Sequence, residues 1–132
     1  MSENVSIGLD CGASKILSQG AKIDYDLDLV IPIGKTIEEE YCLNFKWDKK
    51  FKPVPIETQL EEFKNQKIKL TSEEITQANV ILSLINKFLK NFNKKKISIC
   101  FPGLKSKNGV TVMANGPRIP NLIKELNYFK NF

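Results

Sequence analysis

Residues 5–15 read Val-Ser-Ile-Gly-Leu-Asp-Cys-Gly-Ala-Ser-Lys, and the fold turns on them. Val5 to Asp10 alternates apolar with other residues, which is the period of a half-buried strand. A turn of small residues follows at Gly12, and Ile16-Leu17 opens a second strand. A carboxylate, Asp10, thus sits at a strand end, followed by Gly12, Ala13, Ser14 and Lys15. Small residues let backbone N–H groups approach an anion closely. Ser14 adds a hydroxyl and Lys15 a cation, and Asp10 suits a divalent metal held directly or through water, as metal-bound phosphates require. This is the chemistry of a phosphate and magnesium cradle; the same residues also suit an ordinary hairpin turn. The helix-opening P-loop pattern is absent.

Downstream, Gly20 is a strand breaker, and Leu27 to Ile33 is apolar enough for a strand that Pro32 assigns to an edge or an end. Asp24, Asp26 and Asp28 alternate along an extended segment as a solvated stripe. Tyr41, Leu43, Phe45 and Trp47 fall on one face of a further strand, and Lys49 to Pro55 is a basic, proline-broken loop. Glu57 to Gln66 reads as a short helix or turn. The clearest helix spans Thr71 to Asn93. Thr71 and Glu74 have capping-box spacing. Ile75, Ala78, Ile81, Leu82, Ile85, Phe88, Leu89 and Phe92 form a core-facing stripe. Lys94-Lys95-Lys96 lies at the end of that helix, where cations complement the dipole. Ile97 to Phe101 is a strand, Pro102-Gly103 turns the chain, and Asn108-Gly109 signals a hairpin into Val110–Met113. Pro117 and Pro120 bracket a loop before a C-terminal helix from Asn121 to Phe129. The order predicts an α/β class: a mixed sheet, one long packing helix and a C-terminal helix.

The bulk numbers narrow the chemistry. The 132 residues suit one domain and contain no histidine, which removes Ser-His-Asp triads, Cys-His dyads, histidine zinc sites and an imidazole switch. Cys11, Cys42 and Cys100 are widely spaced and odd in number, as expected of small buried thiols in a reduced, cytoplasmic setting. No apolar run reaches the ~20 residues of a membrane helix, and Met1-Ser2-Glu3-Asn4 lacks signal-peptide character. Residues 1–66 carry net charge −4 and residues 67–132 carry +9, summing to +5. Because Arg118 is the sole arginine, that basic half reads as a lysine-rich solvated surface and not as a nucleic-acid reader.

The stretch from Ile7 to Lys15 resembles the first phosphate loop of the actin, hexokinase and heat-shock chaperone superfamily. More narrowly, it is similar to the D-x-G-G-T-K loop of ROK-family sugar kinases, with Asp10, Gly12 and Lys15 matching, Ser14 for threonine and Ala13 for glycine. A second block is similar to that family's P-G-x-x-x-x-x-G-x-V…P-N-L-P segment. It comprises Pro102-Gly103, Gly109-Val110-Thr111-Val112, Asn115-Gly116-Pro117 and Pro120-Asn121-Leu122. The resemblance implies a ribonuclease-H-like, actin-like ATPase domain covering residues 1–132, one of two that close around a cleft. It implies ATP and Mg2+ as cofactors and a sugar as substrate. Asp10 is then the metal residue, Gly12, Ala13, Ser14 and Lys15 line the ATP phosphates, and Pro102, Gly103 and Asn115 lie on the sugar side.

The resemblance also implies that the catalytic aspartate and second domain would follow Phe132. No catalytic residue is therefore assigned, and the chain is expected to be inactive alone. An exposed apolar face is then expected, covered by a homodimer partner or a second kinase half. Two other readings stand beside the kinase: a degenerate, non-catalytic relative that binds a ligand or protein, and an unrelated small α/β binding module.

Overall fold

A computed structural model describes residues 5–90 and 96–126. Strand β1, Val5–Cys11, buries Ile7, Leu9 and Cys11 on one face and leaves Asp10 on the other. It pairs antiparallel with β2, Lys15–Asp24, Cys11 facing Ile16 across the turn. Strand β3, Leu29–Glu40, pairs antiparallel with β2 and forms one edge, so Pro32 loses no ladder bond on its outer side. After helices α1, Ile56–Lys64, and α2, Ser72–Leu89, strand β4, Lys96–Cys100, returns parallel to β1. Parallel neighbours need a crossover, and α2 lies within it. The order β3-β2-β1-β4, with only β4 parallel to its neighbour, makes a mixed sheet. A two-stranded ribbon, β5 (Gly103–Lys105) and β6 (Val110–Met113), and a short helix α3, Leu122–Glu125, complete the chain.

The core lies between one sheet face and α2. Leu9, Cys11 and Ile16 meet Ala78, Ile81, Leu82, Ile85 and Leu89 in a single buried cluster with Phe101, Val110, Ile119 and Leu126. The capped start of α2 falls where the sequence assigns it, since Thr71 Oγ1 accepts from the Glu74 N–H at 3.1 Å. Ile75 is exposed instead of joining the stripe. Phe92, Lys94 and Lys95, with the rest of residues 91–95, lie outside the described residues, as do 127–129 of the expected C-terminal helix. No helix among the described residues is long and apolar enough to cross a membrane.

Three expectations are corrected. First, Gly20 does not break the chain: β2 and β3 run on as a long hairpin, and the irregularity is a bulge. It spans Gly34 to Thr36 on β3 and begins at Gly34, whose φ of 74° suits glycine, and the Gln19 side chain donates to the Ile33 and Gly34 carbonyls beside it. Second, Asp24, Asp26 and Asp28 do not form an extended stripe. They shape the hairpin turn, where Asp24 Oδ1 accepts from the N–H groups of Asp26 and Leu27 at 3.0 and 3.1 Å.

Third, Tyr41–Trp47 is not a strand. Tyr41–Leu43 forms a 3-10 turn, and turns follow at Asn44 and Asp48. Their side chains accept from the N–H groups two residues on, Lys46 at 2.9 Å and Lys50 at 2.8 Å, which competes with ladder pairing. Leu43 and Phe45 consequently stand 75% and 91% exposed, while Tyr41 is buried. The cysteines also differ from expectation: Cys11 is buried, but Cys42 and Cys100 are exposed.

Candidate functional site

The turn from Gly12 to Lys15 closes β1 onto β2, with the Gly12 N–H donating to the Lys15 carbonyl at 2.9 Å. Tyr41 fixes it from below. The Tyr41 N–H donates to the Ser14 carbonyl at 2.9 Å, and the Tyr41 hydroxyl donates to the Gly12 carbonyl at 2.9 Å. Burial of the phenol pushes its pKa up. The Tyr41 ring packs on Trp47 with centroids 4.8 Å apart. The turn carbonyls of Gly12, Ser14 and Lys15 are thus tied to protein donors. The N–H groups of Ala13 and Ser14 donate to no acceptor among the described residues, and both residues are exposed. This arrangement presents two donors at a tight tip, as an anion site needs.

Strand alternation sorts the flanking groups. Asp10 lies on the open face of the sheet, directly across the ladder from Leu17, with Lys15 on the same face. Lys15 does not stand free over the turn: its Nζ lies 2.6 Å from Glu38 Oε1 on β3. That pairing, with Glu40 adding to it, holds the ammonium pKa above the lysine norm. Cys11 points into the core, where burial, then the charge of Asp10, pushes its thiol up to about 12. Cys11 therefore takes no part at the tip.

Ala13 and Ser14 line a cavity of about 440 Å³ together with Asn115 and Gly116. Its remaining lining comes from Glu40 to Pro53, including Trp47, Asp48, Lys49 and Phe51. The structure therefore brings Ala13, Ser14 and Asn115 together; Asp10, Gly12 and Lys15 border the turn without lining the cavity. Pro102 and Gly103 do not line it. Pro102 is exposed, and Gly103 sits so close to β6 that a Cβ there would meet the Val112 carbonyl at 2.2 Å. A smaller cavity of about 240 Å³ lies between Tyr41 and α2 and includes none of the turn residues.

Sequence reasoning missed the Glu40–Pro53 wall because it assigned Tyr41–Trp47 to a strand. The signal was present in Asn44 and Asp48, both turn formers. It also missed the polar clamps that hold the walls. Gln77 of α2 accepts from the Asp48 N–H at 3.0 Å and donates to the Lys46 carbonyl at 3.2 Å. Buried Gln59 of α1 donates to the Met113 carbonyl at 2.8 Å and accepts its N–H at 2.7 Å, which anchors the chain just before Asn115.

Arg118 is fully buried. Its Nε and Nη2 donate to the two Glu74 oxygens at 2.8 and 2.9 Å, its Nη1 to Glu62 at 3.0 Å, and its Nη2 also to the Lys69 carbonyl. The capping-box residue Glu74 has thus turned away from its own helix end to hold the loop after Asn115. The sole arginine is a structural clamp, not a surface contact.

No group of three or more Cys, Asp and Glu among the described residues could hold a metal by itself. Asp10 is a single exposed carboxylate beside the turn. Mg2+ is commonly held by one or two carboxylates together with substrate phosphates, and that arrangement fits Asp10 better than a protein cage does.

No protein-family model matches the chain. A threonine–tRNA ligase from Helicobacter acinonychis (strain Sheeba) is 30% identical over 118 residues, which covers 87% of this chain and 19% of that protein. The chain thus spans about a fifth of the length of the curated relative it matches. Two solved structures of an Aquifex aeolicus Ppx/GppA protein are similar at a TM-score of 0.37 and 12% identity, covering 74% of this chain and 26% of theirs. The type II variant of the Aquifex aeolicus Ppx/GppA phosphatase gives a TM-score of 0.36 at 13% identity over 72% of this chain and 25% of its own. None of these relatives is a sugar kinase.

Proposed function

We propose that the chain is a nucleotide-phosphate-binding domain of an actin-like phosphotransferase, of the kind that phosphorylates a sugar hydroxyl from ATP. One observation supports this reading: the N–H groups of Ala13 and Ser14 have no acceptor among the described residues, at an exposed turn whose Gly12, Ser14 and Lys15 carbonyls are held by protein donors. The turn N–H groups and the Ser14 hydroxyl bind phosphate oxygens. Asp10 orients the Mg2+ that the nucleotide brings, which supplies charge neutralisation. Lys15 joins them by leaving Glu38. Both members of that pair are about half exposed, and such pairs contribute little to stability, so exchange for a phosphate costs little. The chain contributes positioning and electrostatics; no general base is assigned to it.

A non-catalytic, ligand-binding relative is the second reading. It is favoured by Glu38 and Glu40, which already satisfy Lys15 and set negative charge beside the turn. Calorimetric titration of Mg–ATP into the full chain separates the two. A phosphate-binding turn gives saturable heat that Asp10→Ala and Lys15→Ala each weaken at least tenfold. Equal binding by both variants, or no binding, removes the phosphotransferase reading.

A further inference from the structure

We infer that the exposed face of α2, with the ridge of Leu43 to Lys46 beside it, is a two-fold interface that takes a second copy of this chain. The surface is separate from the phosphate turn. Its two cavities, of about 240 and 420 Å³, include no residue from Gly12 to Lys15, so the inference does not depend on the nucleotide reading.

The two cavities share Asn44, Val80 and Ser83, and so are halves of one trench between α2 and the loop after β3. Thr76, Asn79 and Ser83 are exposed along it at helical spacing and leave it open. Leu43 and Phe45 stand in solvent on its rim. The fold holds them there. The Asn44 carbonyl accepts from the Trp47 N–H at 3.0 Å, its side chain accepts from the Lys46 N–H at 2.9 Å, and Gln77 donates to the Lys46 carbonyl at 3.2 Å. Two large apolar side chains fixed in water beside an open trench mark an interaction surface.

Charge selects the occupant. One half of the trench is bordered by Glu39, Glu40 and Lys87, the other by Lys46. Lys87 neutralises Glu39, with Nζ 2.6 Å from Oε1. Glu40 accepts from the Cys42 thiol, and Lys46 lies 5.8 Å from the centre of its neighbouring Phe45 ring. Neither Glu40 nor Lys46 forms an ion pair among the described residues. The trench therefore runs from a spare negative charge to a spare positive one. A two-fold axis through its middle, at Asn44 and Ser83, reverses that order in a second copy. Lys46 then meets Glu40 of the second copy, and symmetry repeats the pair. The same rotation brings Phe45 to the half that Leu43 of the second copy borders, where about 240 Å³ has room for a phenyl ring. A partner of one charge sign would satisfy only one end.

Sedimentation velocity of the full chain across a hundredfold concentration range should show a reversible monomer–dimer equilibrium. Phe45→Ser, at an almost fully exposed position, should weaken the dimer at least tenfold with circular dichroism unchanged. Lys46→Glu and Glu40→Lys should each weaken it similarly, by setting like charges face to face. The double reversal should restore dimerisation, which a merely local role of either residue would not do. A chain that stays monomeric leaves the trench to a different partner and overturns the inference. A dimer indifferent to Phe45→Ser, or a double reversal no better than the single ones, overturns it as well. So does association that continues past the dimer, because only a closed two-fold contact stops there.

Discussion

The Tyr41 hydroxyl donates to the Gly12 carbonyl across 2.9 Å, from a residue 29 positions later in the chain. This long-range bond links the end of β3 to the turn that carries the proposed phosphate donors. Tyr41→Phe leaves the carbonyl without its donor while keeping the ring in the core. A lost hydrogen bond of this kind costs about 1 kcal/mol. Thermal denaturation should show a drop of a few degrees, and amide exchange should quicken at Gly12 to Lys15 and not in α2.

Arg118 and Glu74 form a bidentate pair with neither side chain exposed to solvent. Removing one partner strands the other charge in the core, at a cost of roughly 3–5 kcal/mol. Arg118→Ala should therefore unfold the chain at much lower denaturant. Arg118→Lys should recover little, because an ammonium cannot span Glu74, Glu62 and the Lys69 carbonyl as the planar guanidinium does. Equilibrium urea melts of the two variants check this.

The three thiols should separate by reactivity. Cys42 and Cys100 are exposed, whereas Cys11 is buried with its pKa pushed up to about 12, and thiolates, not thiols, react. A disulfide-exchange reagent at neutral pH should titrate two thiols in the native chain and the third only on unfolding. Cys42 should be the slower of the exposed pair, since its hydrogen bond to Glu40 raises its pKa.

Alkali should loosen the same region. Cys11 and Tyr41 both have folded pKa values above their ordinary values of 9.0 and 10.0. Groups of that kind favour the fold fully below the unfolded pKa, and the contribution is lost as pH climbs through that value toward the folded one. Denaturation midpoints should hold steady up to about pH 9 and then fall, and Cys11→Ala should flatten the first part of that fall.

The sequence carried much of the frame but less of the site. The alternation of Val5 to Asp10, the capped stripe of α2 and Asn108-Gly109 are local signals, and local periodicity survives folding. The Tyr41–Trp47 error is instructive. Alternating aromatics satisfy the strand template, but the Asn44 and Asp48 side chains compete for the backbone, and Gln77 completes the turns from another helix. Lys15 matched a phosphate-loop lysine in type, yet its partner Glu38 comes from β3, across a hairpin whose register depends on the bulge at Gly34. Arg118 and Gln59 were illegible for the same reason: their partners lie 44 and 54 residues away in the chain.

Amide chemical shifts in the turn test the phosphate role most directly. Mg–ATP added to the isotopically labelled full chain should shift the Ala13 and Ser14 N–H resonances downfield in a saturable way, with smaller changes at Gly12 and Lys15. Saturable binding that leaves Ala13 and Ser14 unmoved, or shifts scattered over the lysine-rich surface, would contradict the assignment of this turn as the phosphate site.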